Sequence, residues 1–354
     1  MSIRIGVVSF AHYHANFWSD AFVRDPRAEL TGIWDADTNR GTAAAGRYGT
    51  TFFDDLGALL DRVDAVAICS ETAKHRELIE AAAARGKHVL CEKPIATTLA
   101  DADAIADAVK TAGIVFMQSF PKRFDPVNHE LKALVDSGAF GKLWLVRVRH
   151  GHRHGLDEEF TRGWWADPAL SGGGTLIDEG VHAADFLRWF FGEPESVQAT
   201  ISSAALGLAV DDTAVAVFRW ADGLLGEVAT GWMFQAADTS IEIYGTKGSA
   251  LLSGVDIASR DVSGNGAFLR VLLDGARERR WAVSETVPQF VRGEFHHQNA
   301  YAFVESLSSG RPPPIGLADG RGALAMIVAA YAAARTGSTV SIADFSQEAS
   351  TETA

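Results

Sequence analysis

Short apolar runs alternate with alanine-rich amphipathic stretches over roughly the first 120 residues, and no other feature constrains the fold as much. The β-rich runs are Ile3 to Val8, Leu30 to Asp35, Ala65 to Cys69, His88 to Cys91 and Val115 to Ser119. Helical segments such as Lys74 to Arg85 fit between them, with Gly86 placed to end that one. The expected fold is α/β, an N-terminal doubly wound parallel sheet. Ligands bind such sheets at the carboxyl ends of the strands, where Ser9, Asp35, Ser70 and Glu92-Lys93 fall.

From Arg123 the pattern changes. One helix ends near Gly138, and strands follow at Leu143 to His150, Val197 to Ser203, Thr213 to Trp220, Leu224 to Trp232 and Ser240 to Tyr244. Asp222-Gly223 and Gly245-Thr-Lys-Gly248 read as the turns between some of them. Glu294 to Ser309 and Ala318 to Ala334 read as helices joined by a rigid Pro312-Pro-Pro314 linker. The expected domains are therefore 1–122, a nucleotide-binding unit, and 123–343, an antiparallel-rich substrate unit. Residues 344–354 are expected to be a frayed polar tail.

The chain has 354 residues, 47% of them hydrophobic and 22% charged, enough apolar material for two cores. A formal charge of −13 argues against nucleic acid or an anionic membrane as partner. No apolar stretch reaches the roughly 18 residues of a membrane span, and the chain opens directly on a strand, so cytoplasmic residence is expected. Cys69 and Cys91 fall in buried strands and read as small hydrophobes.

A dinucleotide loop takes Gly-x-Gly-x-x-Gly/Ala so that backbone can approach the pyrophosphate. The matching stretch here is Ser9-Phe10-Ala11-His12-Tyr13-His14. A histidine at the third glycine position is expected to push the helix away unless the loop is re-registered onto Ala15. Asp35 ends the second strand, where a carboxylate accepts from the adenosine ribose diol and repels a 2′-phosphate. With Arg40 five residues beyond it, NAD is expected ahead of NADP.

Glu92-Lys93-Pro94 supplies a lysine at a strand end, and Asp178 and His182 lie one helical turn apart. On a helix beginning near Gly174, residues 178, 182 and 185 would share a face within about 60° of one another, with Trp189 joining them. Leu176, Ala183, Leu187 and Phe190 would pack on the other side. An alcohol gives up hydride only as its hydroxyl loses a proton, so a base is needed, and His182 or Lys93 can serve. Burial or nearby positive charge would bring the lysine into a useful range.

His150-Gly-His152-Arg-His154, followed by Trp164-Trp165, reads as a substrate-recognition segment, with rings for sugar C–H faces and donors for hydroxyls. His152 and His154 with Asp178 or His182 could ligate zinc, but such spacing is common without metal, and no metal is expected. His296-His297 are expected to cap or line a cleft edge. His12 and His14 are left outside the catalytic set.

Several of these stretches together resemble the Gfo/Idh/MocA oxidoreductases. They are Ile5-Gly6-Val7-Val8, Asp35, Ser70-Glu-Thr-Ala-Lys-His75, Glu92-Lys93-Pro94, Arg123-Phe124-Asp-Pro126, Gly172 to His182 and Tyr244 to Gly248, in order over nearly the whole chain. The departures are the histidine-bearing loop and Glu71 in place of a common proline. The resemblance implies a Rossmann domain and a C-terminal α/β domain whose large, mostly antiparallel open sheet often forms an oligomer interface, giving a homodimer or homotetramer. It implies NAD(P)-dependent hydride transfer to or from a sugar, cyclitol or related polyhydroxylated small molecule, with Lys93, Asp178 and His182 catalytic. Ser9, Phe10, Ala11, His12, Asp35, Ser70, His75, Glu92 and Lys93 would meet the cofactor. Arg123, His152, His154, Trp164, Trp165, Asp178 and His182 would meet the substrate. Two alternatives stay open: a non-catalytic nucleotide- or sugar-responsive regulator on the same fold, and a glycoside-processing enzyme using tightly bound NAD transiently.

Overall fold

The structure, a computed structural model, describes residues 2–234, 240–253, 269–274, 281–283 and 293–351. In chain order it begins with β1 (Ile3–Val8), α1 (His14–Arg24), β2 (Ala28–Trp34), α2 (Thr38–Tyr48), β3 (Thr51–Phe53) and α3 (Leu56–Leu60). Then come β4 (Ala65–Ile68), α4 (His75–Ala83), β5 (His88–Cys91), α5 (Leu99–Ala112), β6 (Phe116–Gln118) and α6 (Pro126–Asp136). β7 (Leu143–Gly151), α7 (Glu158–Thr161), α8 (Pro168–Ser171), α9 (Thr175–Asp178) and α10 (Gly180–Phe191) follow. The strands β8 (Ser196–Ser202), β9 (Thr213–Arg219), β10 (Leu225–Gly231), β11 (Ser240–Gly245), β12 (Gly248–Ser253), β13 (Leu269–Leu273) and β14 (Ala282–Val283) lead to the end. The end comprises α11 (Glu294–Ser309), α12 (Leu317–Thr336), β15 (Val340–Ser341) and α13 (Ile342–Thr351).

Two compact units result: Met1–Pro121 with Gly293–Arg321, and Lys122–Arg292 with Gly322–Ala354. The second unit is thus not one unbroken span from 123 to 343. Helix α11 belongs with the first unit because Phe295, Ala300, Phe303 and Val304 are buried there and its His296 ring packs on Phe17 of α1, 5.3 Å between centroids. The expected frayed tail is also corrected. Helix α13 runs to Thr351, anchored by buried Ile342, whose N–H donates to the Glu195 carbonyl at 3.0 Å. The last three residues of that expected tail lie outside the described residues.

In the first unit six parallel strands lie in the order β3-β2-β1-β4-β5-β6. Every residue of β4 is buried, which is why that strand reads as an unbroken apolar run. The strand order reverses between β1 and β4, so the carboxyl ends of β1, β2, β4 and β5 surround a ligand position. Helix α2 starts where the Asp37 side chain accepts from the N–H groups of Asn39 and Arg40, and it ends at Gly49 in the left-handed region.

The second unit carries a nine-stranded sheet, β14-β13-β12-β11-β7-β10-β9-β8-β15 among the described residues. Only β7 and β10 pair in parallel, so both deliver their ends to one edge, Gly151 beside Gly231. Strand alternation sends Val146, Val148 and His150 to the buried face, and Val228 and Thr230 with them. The hairpins at Asp222-Gly223 and Gly245 to Gly248 form as expected.

The single helix expected from Gly174 is divided. Helix α9 ends at Asp178, α10 starts at Gly180, and Glu179 forms the joint. Asp211 fixes the start of α9 by accepting the N–H groups of Gly174 and Leu176 at 2.9 and 2.8 Å and the Tyr331 hydroxyl at 2.7 Å. Leu176, Ala183, Leu187 and Phe190 are nonetheless buried as their spacing required. Helix α12 is long and apolar enough to cross a membrane, against expectation. It is a core helix of the protein: Ala323, Leu324, Met326, Ile327, Ala329 and Ala330 are all buried within the fold.

Candidate active site

The β1–α1 loop takes its shape from Ser9, which has φ of 70° and is the one non-glycine residue with positive φ among those described. That is the conformation the first fingerprint glycine would supply. The Ser9 hydroxyl then accepts the Ala11 N–H at 3.1 Å, and the His12 N–H reaches the Cys69 carbonyl at 2.9 Å. His14 opens α1 directly, with no shift of register onto Ala15. It fits because the niche beside it is polar: Nδ1 lies 3.2 Å from Glu92 Oε1, and the ring packs on His296 with centroids 3.8 Å apart. His296 and His297 are buried in this unit and form no exposed rim. Burial, reinforced by His14, pushes the His296 imidazole well below its ordinary range, so it sits there neutral.

Tyr13, the residue preceding α1, makes no side-chain cap; the His14 N–H donates instead to His12 Nδ1 at 3.2 Å, and the first turn has no acidic residue to repel an anion. Together with Ser9 this fits a dinucleotide pyrophosphate. Asp35 is buried and accepts the Phe10 and Asp37 N–H groups at 2.7 and 2.9 Å. Arg40, expected to stand apart, binds it through Nε at 2.8 Å and Nη2 at 2.7 Å. The Asp37 cap starts α2 so that Arg40, one turn in, lies over Asp35.

At the end of β5, Glu92 and Lys93 are both buried. His75, expected at the cofactor, is instead fully buried, with Nδ1 2.9 Å from the Pro94 carbonyl, and so fixes the turn that follows Lys93. Ser70 is buried too, its hydroxyl donating to the Glu71 carbonyl at 3.2 Å. Burial pushes the thiols of Cys69 and Cys91 well up and leaves them inert.

In the second unit the alternation of β7 carries on past its end, so His150 and His152 point the same way, toward the joint between α9 and α10. Glu179 lies between them: His150 Nδ1 is 2.6 Å from one carboxylate oxygen and His152 Nε2 3.6 Å from the other. His152 Nε2 is also 3.6 Å from Asp178, whose Oδ2 accepts the Trp232 indole N–H at 3.0 Å. The His182 ring packs beside His150, centroids 4.9 Å apart. Phe160 stacks on Trp165, and Trp165 on Trp164, with 5.0 and 4.7 Å between centroids, while Trp232 meets Phe160 edge-on. His154 lies beside this wall, with Nδ1 3.2 Å from Asp157. Arg123, expected on the substrate, gives its guanidinium to buried Asp185 at 2.6 and 2.9 Å, so it braces α10.

Sequence reasoning missed Glu179, Trp232 and the Arg40 contact. The HxH spacing of residues 150 and 152 was the available signal for the first, since two imidazoles on one strand face call for a carboxylate opposite.

Donor atoms of His152, Asp178 and Glu179 lie within 4.8 Å of one another, as do those of His12, His14 and Glu92. In the first group one imidazole faces two carboxylates, with His150 on the other oxygen of Glu179, and in the second His14 faces Glu92.

Burial alone would raise the Glu179 carboxyl, but the charges of His150 and His152 outweigh it and bring the group from 4.5 to about 2. A carboxyl held below its unfolded value stabilises the fold above about pH 4.5, and that contribution is lost as pH falls toward about 2. The melting-temperature gap between the wild type and Glu179→Gln is therefore expected to be widest near about pH 6, to narrow below about pH 4.5 and to close as pH falls toward about 2. A gap that stays constant with pH would contradict the ion-pair assignment.

Residues 3–120 match the family model described as "Oxidoreductase family, NAD-binding Rossmann fold", and residues 128–251 match "GFO/IDH/MocA C-terminal domain". Myo-inositol 2-dehydrogenase of Thermotoga maritima is 30% identical over 279 residues, 76% of each chain. D-apiose dehydrogenase of Paraburkholderia graminis is 27% identical over 98% of this chain and 90% of its own. The crystal structure of an aldose-aldose oxidoreductase from Caulobacter crescentus, complexed with glycerol, is 26% identical and superimposes with a TM-score of 0.82, covering 96% of this chain and all of that one.

Proposed function

Because this chain belongs to the Gfo/Idh/MocA family of oxidoreductases, we propose that it oxidises a secondary hydroxyl of a sugar, cyclitol or related polyol, or reduces the matching ketone. The observation that carries this reading is Lys93, buried at the carboxyl end of β5 beside the reversal of strand order. A nicotinamide dinucleotide, when bound, would supply the hydride acceptor or donor. Lys93 hydrogen-bonds the reacting oxygen and His182 exchanges the proton. Asp178, steadied by the Trp232 N–H, orients the substrate. Trp164 and Trp165 offer apolar faces to the C–H side of a ring, and His152 and His154 offer polar atoms to its hydroxyls. Ser9, Phe10, Ala11 and His12 form the pyrophosphate loop, and the acidic setting of Asp35 favours NAD. The test is an initial-rate screen of cyclitols, aldoses and anhydro-sugars with NAD, read as reduced nicotinamide. Turnover with none of them in either direction would contradict the reading.

The open face of the second sheet carries Val215, Val217 and Leu225, each more than a third exposed. Beside them, Arg147 bridges Glu227 and Glu242 at 3.0 and 3.3 Å. Apolar side chains on an otherwise finished sheet suit a second copy of the chain. Sedimentation is expected to show a dimer or tetramer, and Val215→Lys with Val217→Lys a monomer; a wild-type monomer would contradict this. The buried free thiols fit a reducing, cytoplasmic setting.

A further inference from the structure

Arg40 is held between two carboxylates. Its guanidinium binds Asp35 side-on, 2.7 and 2.8 Å away, and Nη2 lies 3.8 Å from Glu71 Oε1. Asp35 is buried, whereas Arg40 is a third exposed and Glu71 a fifth. Glu71 precedes the short turn Thr72–Lys74 but does not cap it with its side chain. Its carboxylate is turned to Arg40 and adds to the charges that raise the guanidinium's pKa after Asp35 and against burial. The local sum is one cation against two anions, a net of −1, before Asp37 at the start of α2 is counted.

This arrangement bears on the ribose end of the cofactor. Rossmann enzymes that take the 2′-phosphorylated form use an arginine near the end of the second strand, because a guanidinium fork matches a phosphate. Here the arginine is present and already occupied. We propose that Glu71 adds to Asp35 in setting cofactor form: beside the guanidinium that Asp35 holds, its carboxylate supplies a second negative charge that keeps Arg40 from a 2′-phosphate. The proposal rests on the reading that a nicotinamide dinucleotide binds at the β1–α1 loop. From the sequence the same preference for NAD follows from Asp35, with Arg40 set aside because it lies five residues away.

The experiment titrates purified full-length protein with NADH and with NADPH, following energy transfer from tryptophan to the nicotinamide. The wild type is expected to bind NADH at least about tenfold tighter than NADPH, since a repulsive element against the competitor sets such a ratio. Glu71→Gln keeps the size of the side chain and removes its charge. It is expected to shrink the ratio by about tenfold through tighter NADPH binding. In Glu71→Gln with Arg40→Ala the gain disappears, because the phosphate's partner has gone. An unchanged ratio in Glu71→Gln, or a gain that survives loss of Arg40, overturns the proposal. A wild type that binds neither nucleotide contradicts the proposed function itself, and so separates the two failures. Thermal melts of each variant check that the fold is intact.

Discussion

Lys93→Met is expected to lower kcat for the best substrate by about three orders of magnitude, the range over which a positioned acid–base group contributes. Lys93 is buried at the end of β5, so the stem of the side chain is part of the packing and its ammonium is the group that can exchange a proton. Methionine keeps a flexible apolar stem of similar length and removes the proton-bearing group. NADH affinity should change far less than kcat, because the loop at Ser9 and the end of β2 at Asp35 are untouched. Initial rates with saturating cofactor, paired with an NADH titration, read the two effects separately. A variant that turns over near the wild-type rate would remove Lys93 from the chemistry.

Gly174→Ala is expected to destabilise the second unit by about 4 kcal/mol or more, above the usual cost of overpacking. The φ at Gly174 is negative, −103°, so the difficulty lies in space: a Cβ there would sit 1.9 Å from the Asp211 carbonyl oxygen and 2.6 Å from its nitrogen. Those are backbone atoms that cannot rotate away. Relieving the contact would pull Gly174 from the Asp211 carboxylate and Tyr331 hydroxyl that fix the start of α9. Asp178 and Glu179 follow within one turn, so the site would lose its geometry as well as its support. Denaturant unfolding, resolved for the two units, checks this; an unaltered midpoint for the second unit would show that the loop yields cheaply.

Much of the fold was legible in the sequence because its signals are local. The parallel sheet announced itself in apolar runs separated by helical periods, and the hairpins in Asp222-Gly223 and Gly245 to Gly248. Where expectation failed, a distant partner decided the outcome. Nothing near Gly174 says that Asp211 will hold the start of a short helix there, and nothing in α11 says that it returns to α1. His14 looked like an obstruction because its niche is built from Glu92 and His296, 78 and 282 positions away (92 − 14 and 296 − 14). The candidate site divides in the same way. Motif and spacing nominated Lys93, Asp178 and His182 as candidates, while Glu179, Trp232 and the hold of Arg40 on Asp35 depend on which side chains the fold brings together. Arg123 and His75, polar residues inside motifs, take partners that the sequence does not show, Asp185 and the Pro94 carbonyl.

The most direct test of the central claim follows the hydride itself. A polyol substrate found in the screen, deuterated at the reacting carbon, is incubated with the protein and NAD, and the nicotinamide product is examined by mass spectrometry. The expected result is one deuterium on the nicotinamide ring with the wild type and a rate of labelling about a thousandfold lower with Lys93→Met. Cofactor bound, substrate consumed and no label transferred would contradict it.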